Sequence, residues 1–227
     1  MTQYRLLKFH LSSRLNCCMM VAYLLIGASS LFGCTHTEKI LIPPKVNLVS
    51  YKAVGVIDFS SNAENDLSGY VTQNFIQAVQ SAQPGVRFLE LGDEKQVLAK
   101  ISQRQLDLKA IQSIGNAYHV DALIFGHFTV SEPAPDIHLS SQLQSLRAGA
   151  FVEATLVTKL WETAAGVTLW TNSASGKKRV ASLNADTSGN INFGATDPRD
   201  TYGRLVPEVV FANTADFRSC YEYRKVK

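Results

Sequence analysis

The chain is poor in cysteine, with Cys17, Cys18, Cys34 and Cys220 as its four in 227 residues. Three of them fall within the first 34 positions, so no disulfide framework can organise the remaining chain. Cys220 reads most simply as a partly buried small apolar residue, with an intermolecular bridge as the less favoured alternative. Net charge is also missing where it would count. Of the 22 basic residues only Arg5, Lys8 and Arg14 precede Cys34, and none of the 19 acidic ones does, so the remainder is balanced. A neutral domain has no electrostatic footprint for nucleic acid, which excludes that class of partner. The chain contains no G-x-S-x-G, no H-E-x-x-H, no thiol-activating cluster and no internal repeat. A long apolar run is absent too: residues 19–32 give 14 in a row, short of the ~20 a spanning helix needs.

What the first 33 residues do have is a basic head, that short apolar core and a small residue at its end. This is the layout of a secretory signal. The alternative, an uncleaved membrane helix, is weakened by the shortness of the run and by Ser29 and Ser30 within it.

Leu31-Phe32-Gly33-Cys34 resembles the lipobox of bacterial lipoproteins through Leu31, Gly33 and Cys34; Phe32 stands where a smaller residue is usual. The resemblance implies that residues 1–33 are removed and that Cys34 carries acyl chains, palmitate among them. Thr35, in the place where lipoproteins kept in the inner membrane commonly have Asp, implies delivery to the outer membrane, periplasmic face. Several chains, at about 0.8 kcal/mol per buried methylene, would anchor the protein stably.

Residues 34–50 are expected to be a lipidated N-terminus and tether, stiffened at Pro43-Pro44. Residues 51–227 are expected to form a single periplasmic α/β domain. The β-branched run 51–59 predicts a strand buried on both faces. Leu67, Tyr70, Val71, Asn74, Phe75, Ala78, Val79 and Ala82 come next at helical spacing, and Pro84-Gly85 stops them. Residues 86–91 predict a second strand. Asp93 and Asp107 predict the caps of two short helices, and residues 122–130 a third strand. Strand, helix, strand, helices, strand is the order of parallel crossovers. Residues 131–147 read as a polar loop. Residues 151–163 alternate, and Ala164-Ala165-Gly166 turns them into 167–173 as an antiparallel hairpin. Residues 176–201 read as a long mobile loop, and a last helix is expected to begin near Pro207. The expectation is an α/β fold: a mixed sheet of about five strands, built of parallel β-α-β units and a C-terminal hairpin and flanked by helices.

Three segments then carry a further resemblance: AVGVIDF opening the domain, IGNAYHVDALIFG at its centre, and LVTKLWETAAGVTLWTNSASG in the hairpin. In their order they resemble the periplasmic domain shared by curli-export-like lipoproteins, lipoprotein activators of peptidoglycan synthases and related small envelope lipoproteins. Gly115, Asp121, Ala122 and Gly126, and then Gly166, Leu169 and Trp170, are the matching positions, over residues 53–176. The resemblance implies an anticodon-binding-like fold.

Candidate site residues are few. Trp170 could anchor a binding surface, but a Trp in an alternating strand is more often a packing residue. His119 and His127 have no Cys or carboxylate at ligand spacing, so no metal is expected. Ser175-Gly176-Lys177-Lys178 fails as a phosphate loop, because Thr171 replaces its first glycine and Lys178 its hydroxyl. Asp58 stands where α/β folds place ligands, but a lone Asp there is more often a loop cap. Only Cys34 has a defined role, as the lipidation site; no catalytic residue and no cofactor is expected. The leading expectation is a non-enzymatic, lipid-anchored scaffold that binds another envelope protein. The alternative is a subunit of an oligomeric outer-membrane export channel of the curli-export type, in which copies of the chain are the partners. Residues 131–147 and 176–201, read as loops, show no apolar alternation for spanning strands. A hydrolase or transferase would need Asp58, His127 and Glu153 around one cavity.

Overall fold

Val54–Ile57 is buried along its whole length, and the reason is that helices lie on both sides of it. The structure, a computed structural model, describes residues 36–63, 67–139, 145–186 and 191–226. The leader expected over residues 1–33, and Cys34, lie outside the described residues. Two units are distinguished. In one, β1 (His36–Ile42) pairs with β10 (Cys220–Val226) in a two-stranded sheet. The other spans Pro43–Cys220.

In the larger unit, β2 (Val54–Ile57) pairs in parallel with β4 (Phe88–Gly92) on one side and β5 (Ala122–Val130) on the other. This is the arrangement that the strand–helix–strand order predicts. The two-residue β3 (Ser60–Ser61) adds to the end of β5. From β5 onward every pairing is antiparallel: β5 to β7 (Ser145–Glu162), β7 to β8 (Val167–Asp186), β8 to β9 (Ile191–Ala195), with β6 (Ala134–Leu139) on β7. Among the described residues the sheet has eight strands rather than about five. Of the three extra strands, β3 is the short pair Ser60–Ser61, while β6 and β9 lie in residues 131–147 and 176–201, which also hold the extended ends of β7 and β8. Their polar composition suits a loop, but in an antiparallel ladder alternate residues can be polar as long as the backbone is paired.

Helix α1 (Ser68–Ala82) buries Val71, Phe75 and Val79 at helical spacing. Its Thr72 hydroxyl accepts from Phe59 N at 2.9 Å and donates to Ser68 O at 2.8 Å. Helix α2 (Glu94–Lys100) begins at Asp93, whose carboxylate accepts from Lys95 N and Gln96 N. Helix α3 (Leu108–Tyr118) begins at Asp107, which accepts from Ala110 N. Both caps stand where the sequence predicts them. Helix α4 (Pro198–Asn213) starts nine residues before Pro207, which lies inside it. The Asp197-Pro198 pair explains this: Asp197 caps by accepting from Arg199 N at 2.8 Å, and proline suits the first turn. Pro207 removes one donor, at the expense of the Gly203 carbonyl.

The layers arise from the two faces of the sheet. One cluster joins Val54, Val56, Ile124, Leu156 and Leu160 to Val71 and Phe75 of α1 and to Leu205, Val206 and Val209 of α4. The other joins Ile57 and Leu123 to Val97 of α2 and to Ile111 and Ile114 of α3. At Gly115 α3 runs so close to the sheet that a Cβ would lie 2.5 Å from Thr163 Cβ. The stretch expected to be a tether over residues 34–50 contains β1, and beyond it Leu48 is fully buried. Gln83 fixes that segment: its Oε1 accepts from Leu48 N at 2.8 Å, and its Nε2 donates to Val46 O and Phe217 O.

Candidate functional site

Strands β7 and β8 are 18 and 20 residues long, several times the usual five to six. Their lower halves belong to the core: Val152, Ala154, Leu156 and Leu160 pack beneath α4. Gly176 makes the approach possible, since a Cβ there would stand 2.9 Å from Val209 Cγ2 and 3.1 Å from Leu205 Cδ2. Between Ala150 and Phe151 the register shifts, which leaves Val180 as an extra, buried residue in β8. Such a bulge bends the strand that carries it.

Beyond the bulge, β6, β9 and the ends of β7 and β8 form a four-stranded antiparallel arm. Its register aligns residues in rungs across all four strands. Pro135, Ala150, Ala181 and Ala195 form one rung, and Ile137, Ala148, Leu183 and Phe193 the next on the same face. The register continues with Leu139, Leu146, Ala185 and Ile191. Every one of these positions is apolar. The alternate rungs are Asp136, Gly149, Ser182 and Gly194, and then His138, Arg147, Asn184 and Asn192. The apolar face is open: Ile137 is 65% exposed and Phe193 74%. Since alternate residues of β7 share a face, it continues the side that α4 covers lower down. The expectation of no apolar alternation in these segments is therefore corrected. With five alanines among the twelve apolar positions, the pattern emerges only when the four strands are aligned.

At the base of the arm lies a cleft of about 810 Å³, lined by Asn62, Ser131, Glu132, Asp197, Arg199 and Tyr202 among others. Several of its polar groups are engaged in holding the joint. Tyr202 OH donates to Ser131 O at 2.8 Å, Asn62 exchanges two hydrogen bonds with the Val130 backbone, and Asp197 caps α4. A second cleft of about 680 Å³ is lined by Lys52, Gln112, Asn116, His119, Asp121 and Thr163. There the Asp121 carboxylate accepts from Lys52 N at 2.6 Å.

Asp58, His127 and Glu153 line neither cleft. His127 is exposed on β5 and its Nδ1 meets the Ser60 hydroxyl. His119 ends α3 in the left-handed region, at φ 54°. Among the described residues no group of His, Cys, Asp or Glu is placed to hold a metal ion. Ser175-Gly176-Lys177-Lys178 is part of β8, paired with β7, and not a loop. Trp170 is a packing residue, the more common role for its pattern: its ring meets Phe217 edge-on at 4.8 Å and its Nε1 donates to Asp216 Oδ2 at 3.1 Å. Asp216 also takes Lys45 Nζ at 2.8 Å. The Lys45 ammonium, then the Trp170 N–H, holds the Asp216 carboxyl below the usual carboxylate range, and Lys45 is raised in return. Cys220 is exposed in β10, not partly buried, because a two-stranded sheet has no second layer of its own. Cys34, the expected lipidation site, lies outside the described residues. Among the described residues no helix is long and apolar enough to cross a membrane.

No protein-family model matches the chain, and no curated protein does. Solved structures do resemble it. The PelC dodecamer from Paraburkholderia phytofirmans is 9% identical, with a TM-score of 0.40 over 81% of this chain and 98% of that one. Lipoprotein GNA1162 from Neisseria meningitidis is 15% identical, with a TM-score of 0.35 over 70% and 94%. A minor lipoprotein from Acinetobacter baumannii is 11% identical, with a TM-score of 0.27 over 78% and 97%. Two of these three are bacterial lipoproteins by description.

Proposed function

We propose that the chain is a non-enzymatic envelope protein, anchored through acyl chains on Cys34 at the periplasmic face of the outer membrane, whose copies join arm to arm in an export-type β-barrel. The observation that carries this reading is the arm, with apolar residues at every register position of one face and polar residues or glycine on the rungs between. That is the alternation of a barrel wall, lipid outside and water inside. Such a face left in water would be an aggregation hazard.

The arm part of β7, residues 145–150, would extend about 20 Å at ~3.3 Å per residue. Tilted by about 40°, it covers roughly 15 Å of the ~25 Å apolar band that barrels present. Within the described chain β6 and β9 each pair on one side, with β7 and β8 respectively. They run antiparallel to each other, so β9 of one copy can pair with β6 of the next. Each copy supplies four strands, so any number of copies closes an even-stranded antiparallel barrel.

A second reading has one observation in its favour: β6 and β9 are described over six and five residues, fewer than the ~9–11 of a spanning strand. In that reading the chain is a lipid-anchored scaffold, and the arm packs its apolar face on another envelope protein. The two separate in one experiment. Full-length protein extracted in detergent should migrate as rings and give ion conductance in a planar bilayer, and L183K should abolish both. Monomers without conductance, with a different protein cross-linked to the arm in cells, would favour the scaffold.

A further inference from the structure

The β1–β10 ribbon has two unlike faces. Alternation places Thr37, Lys39 and Leu41 on one face of β1, and Tyr221, Tyr223 and Lys225 on one face of β10. Lys39 Nζ sits 3.9 Å above the Tyr221 ring, so these are the same face of the ribbon. Glu38 and Glu222 fall on the other face, where Glu222 pairs with Arg224 at 3.2 Å. All the acidic residues of the two strands are thus on one side, and the tyrosines with two lysines are on the other. That second side is open: Leu41 is 56% exposed, Tyr221 58% and Tyr223 67%.

We infer that the Lys39–Leu41–Tyr221–Tyr223 face of the ribbon rests on an anionic phospholipid surface. The inference relies on the proposed acylation of Cys34. His36, where β1 begins, is two residues after Cys34, so at most about 7 Å of chain separates the anchor from the ribbon. A face held at that distance from lipid headgroups meets them whatever its composition, and this one is composed for it. Tyrosine places an apolar ring and a polar tip at the membrane interface, and lysine heads meet anionic headgroups. A two-stranded sheet is marginal on its own, and the bilayer supplies the layer it otherwise lacks.

The test uses the full-length protein with Cys17, Cys18 and Cys220 changed to serine and Tyr223→Cys carrying an environment-sensitive fluorophore. It is reconstituted in vesicles of phosphatidylethanolamine with phosphatidylglycerol, or of phosphatidylcholine alone. Peptide mass spectrometry of the same sample reads the acyl chains on Cys34. In the anionic vesicles the probe should emit to the blue and be quenched about twofold or more by headgroup-proximal nitroxide lipids, against little quenching of the same probe at Leu108→Cys. Adding K39E should reduce the quenching. A probe at position 223 that emits as in water, with Cys34 acylated, overturns the ribbon inference and leaves the anchor intact. If Cys34 carries no acyl chain, the anchor fails, and the probe still decides: quenching supports the ribbon contact and its absence overturns it. A blue shift without nitroxide quenching means a protein covers this face, a second copy included, and also overturns it.

Discussion

The lower and upper halves of β7 and β8 are the same two strands with the same alternation, yet they meet different surroundings. Below the bulge at Val180, Leu156 and Leu160 are buried under α4, and Gly176 is shaped to let that helix approach. Above it, Ala148, Leu183 and their neighbours continue the same side of the sheet with no described helix over them. The residues change in kind across the boundary. Below, apolar residues on β7 answer apolar residues on α4; above, the apolar positions answer one another along rungs that cross four strands. A face built for a helix is complemented by α4, whereas among the described residues no helix complements the arm's face.

This contrast can be broken at its lower end with the largest effect. L156A should cost about 2–5 kcal/mol of unfolding free energy, because it removes buried methyl groups and leaves a cavity. F193A, on the open face, should stay within about 0.5 kcal/mol in the same denaturant titration. Equal losses at both sites would erase the distinction.

The upper end is probed by charge. L183K should lose about 2–4 kcal/mol of membrane insertion, read as loss of the detergent-stable assembly, while S182K on the adjoining face keeps it. Gly176 lies below the bulge, where α4 meets β8. G176V drives a side chain into Leu205 and Val209 and should cost about 1–3 kcal/mol, seen as a lower Tm with the assembly intact.

The smallest effect concerns the Lys45–Asp216–Trp170 group at the foot of the sheet. Asp216 titrates lower in the folded chain than in the unfolded one, so its contribution is present above the ordinary Asp value of about 3.9 and is lost as the pH falls below that through its own lower pKa. Lys45 is raised, so its contribution is present below the ordinary lysine value of 10.5 and is lost as the pH rises through its own higher pKa. D216N should lower stability slightly between those two values and leave it little changed beyond them, so that both edges of the stability–pH curve flatten.

Much of the lower region is legible in the sequence. The apolar run at 51–59, whose strand is the shorter 54–57, and the helical spacing of Val71, Phe75 and Val79 rest on local patterns. So do the caps at Asp93 and Asp107 and the parallel order of β4, β2 and β5, and all of these appear as expected. The arm is not legible in that way. Five of its twelve apolar positions are alanine, interspersed with serine, asparagine and glycine, and along any single strand they resemble a polar loop. Only cross-strand pairing aligns Ile137 with Ala148, Leu183 and Phe193. The start of α4 is hidden for a related reason: Pro207 resembles a first-turn proline, while the true start, Asp197-Pro198, lies inside a segment whose composition is that of a loop. Trp170 is legible because its role, packing on Phe217, is the common one for its pattern.

The central claim is that the arm's two faces meet lipid and water in alternation. The most direct test is a cysteine scan of residues 181–183 and 192–195 in native cell-envelope membranes, labelled with a membrane-impermeant thiol reagent that enters from the aqueous side. The account predicts a period of two: labelling at Ser182, Asn192 and Gly194, and protection at Ala181, Leu183, Phe193 and Ala195. Uniform labelling of all seven positions, or protection of all seven, would contradict it.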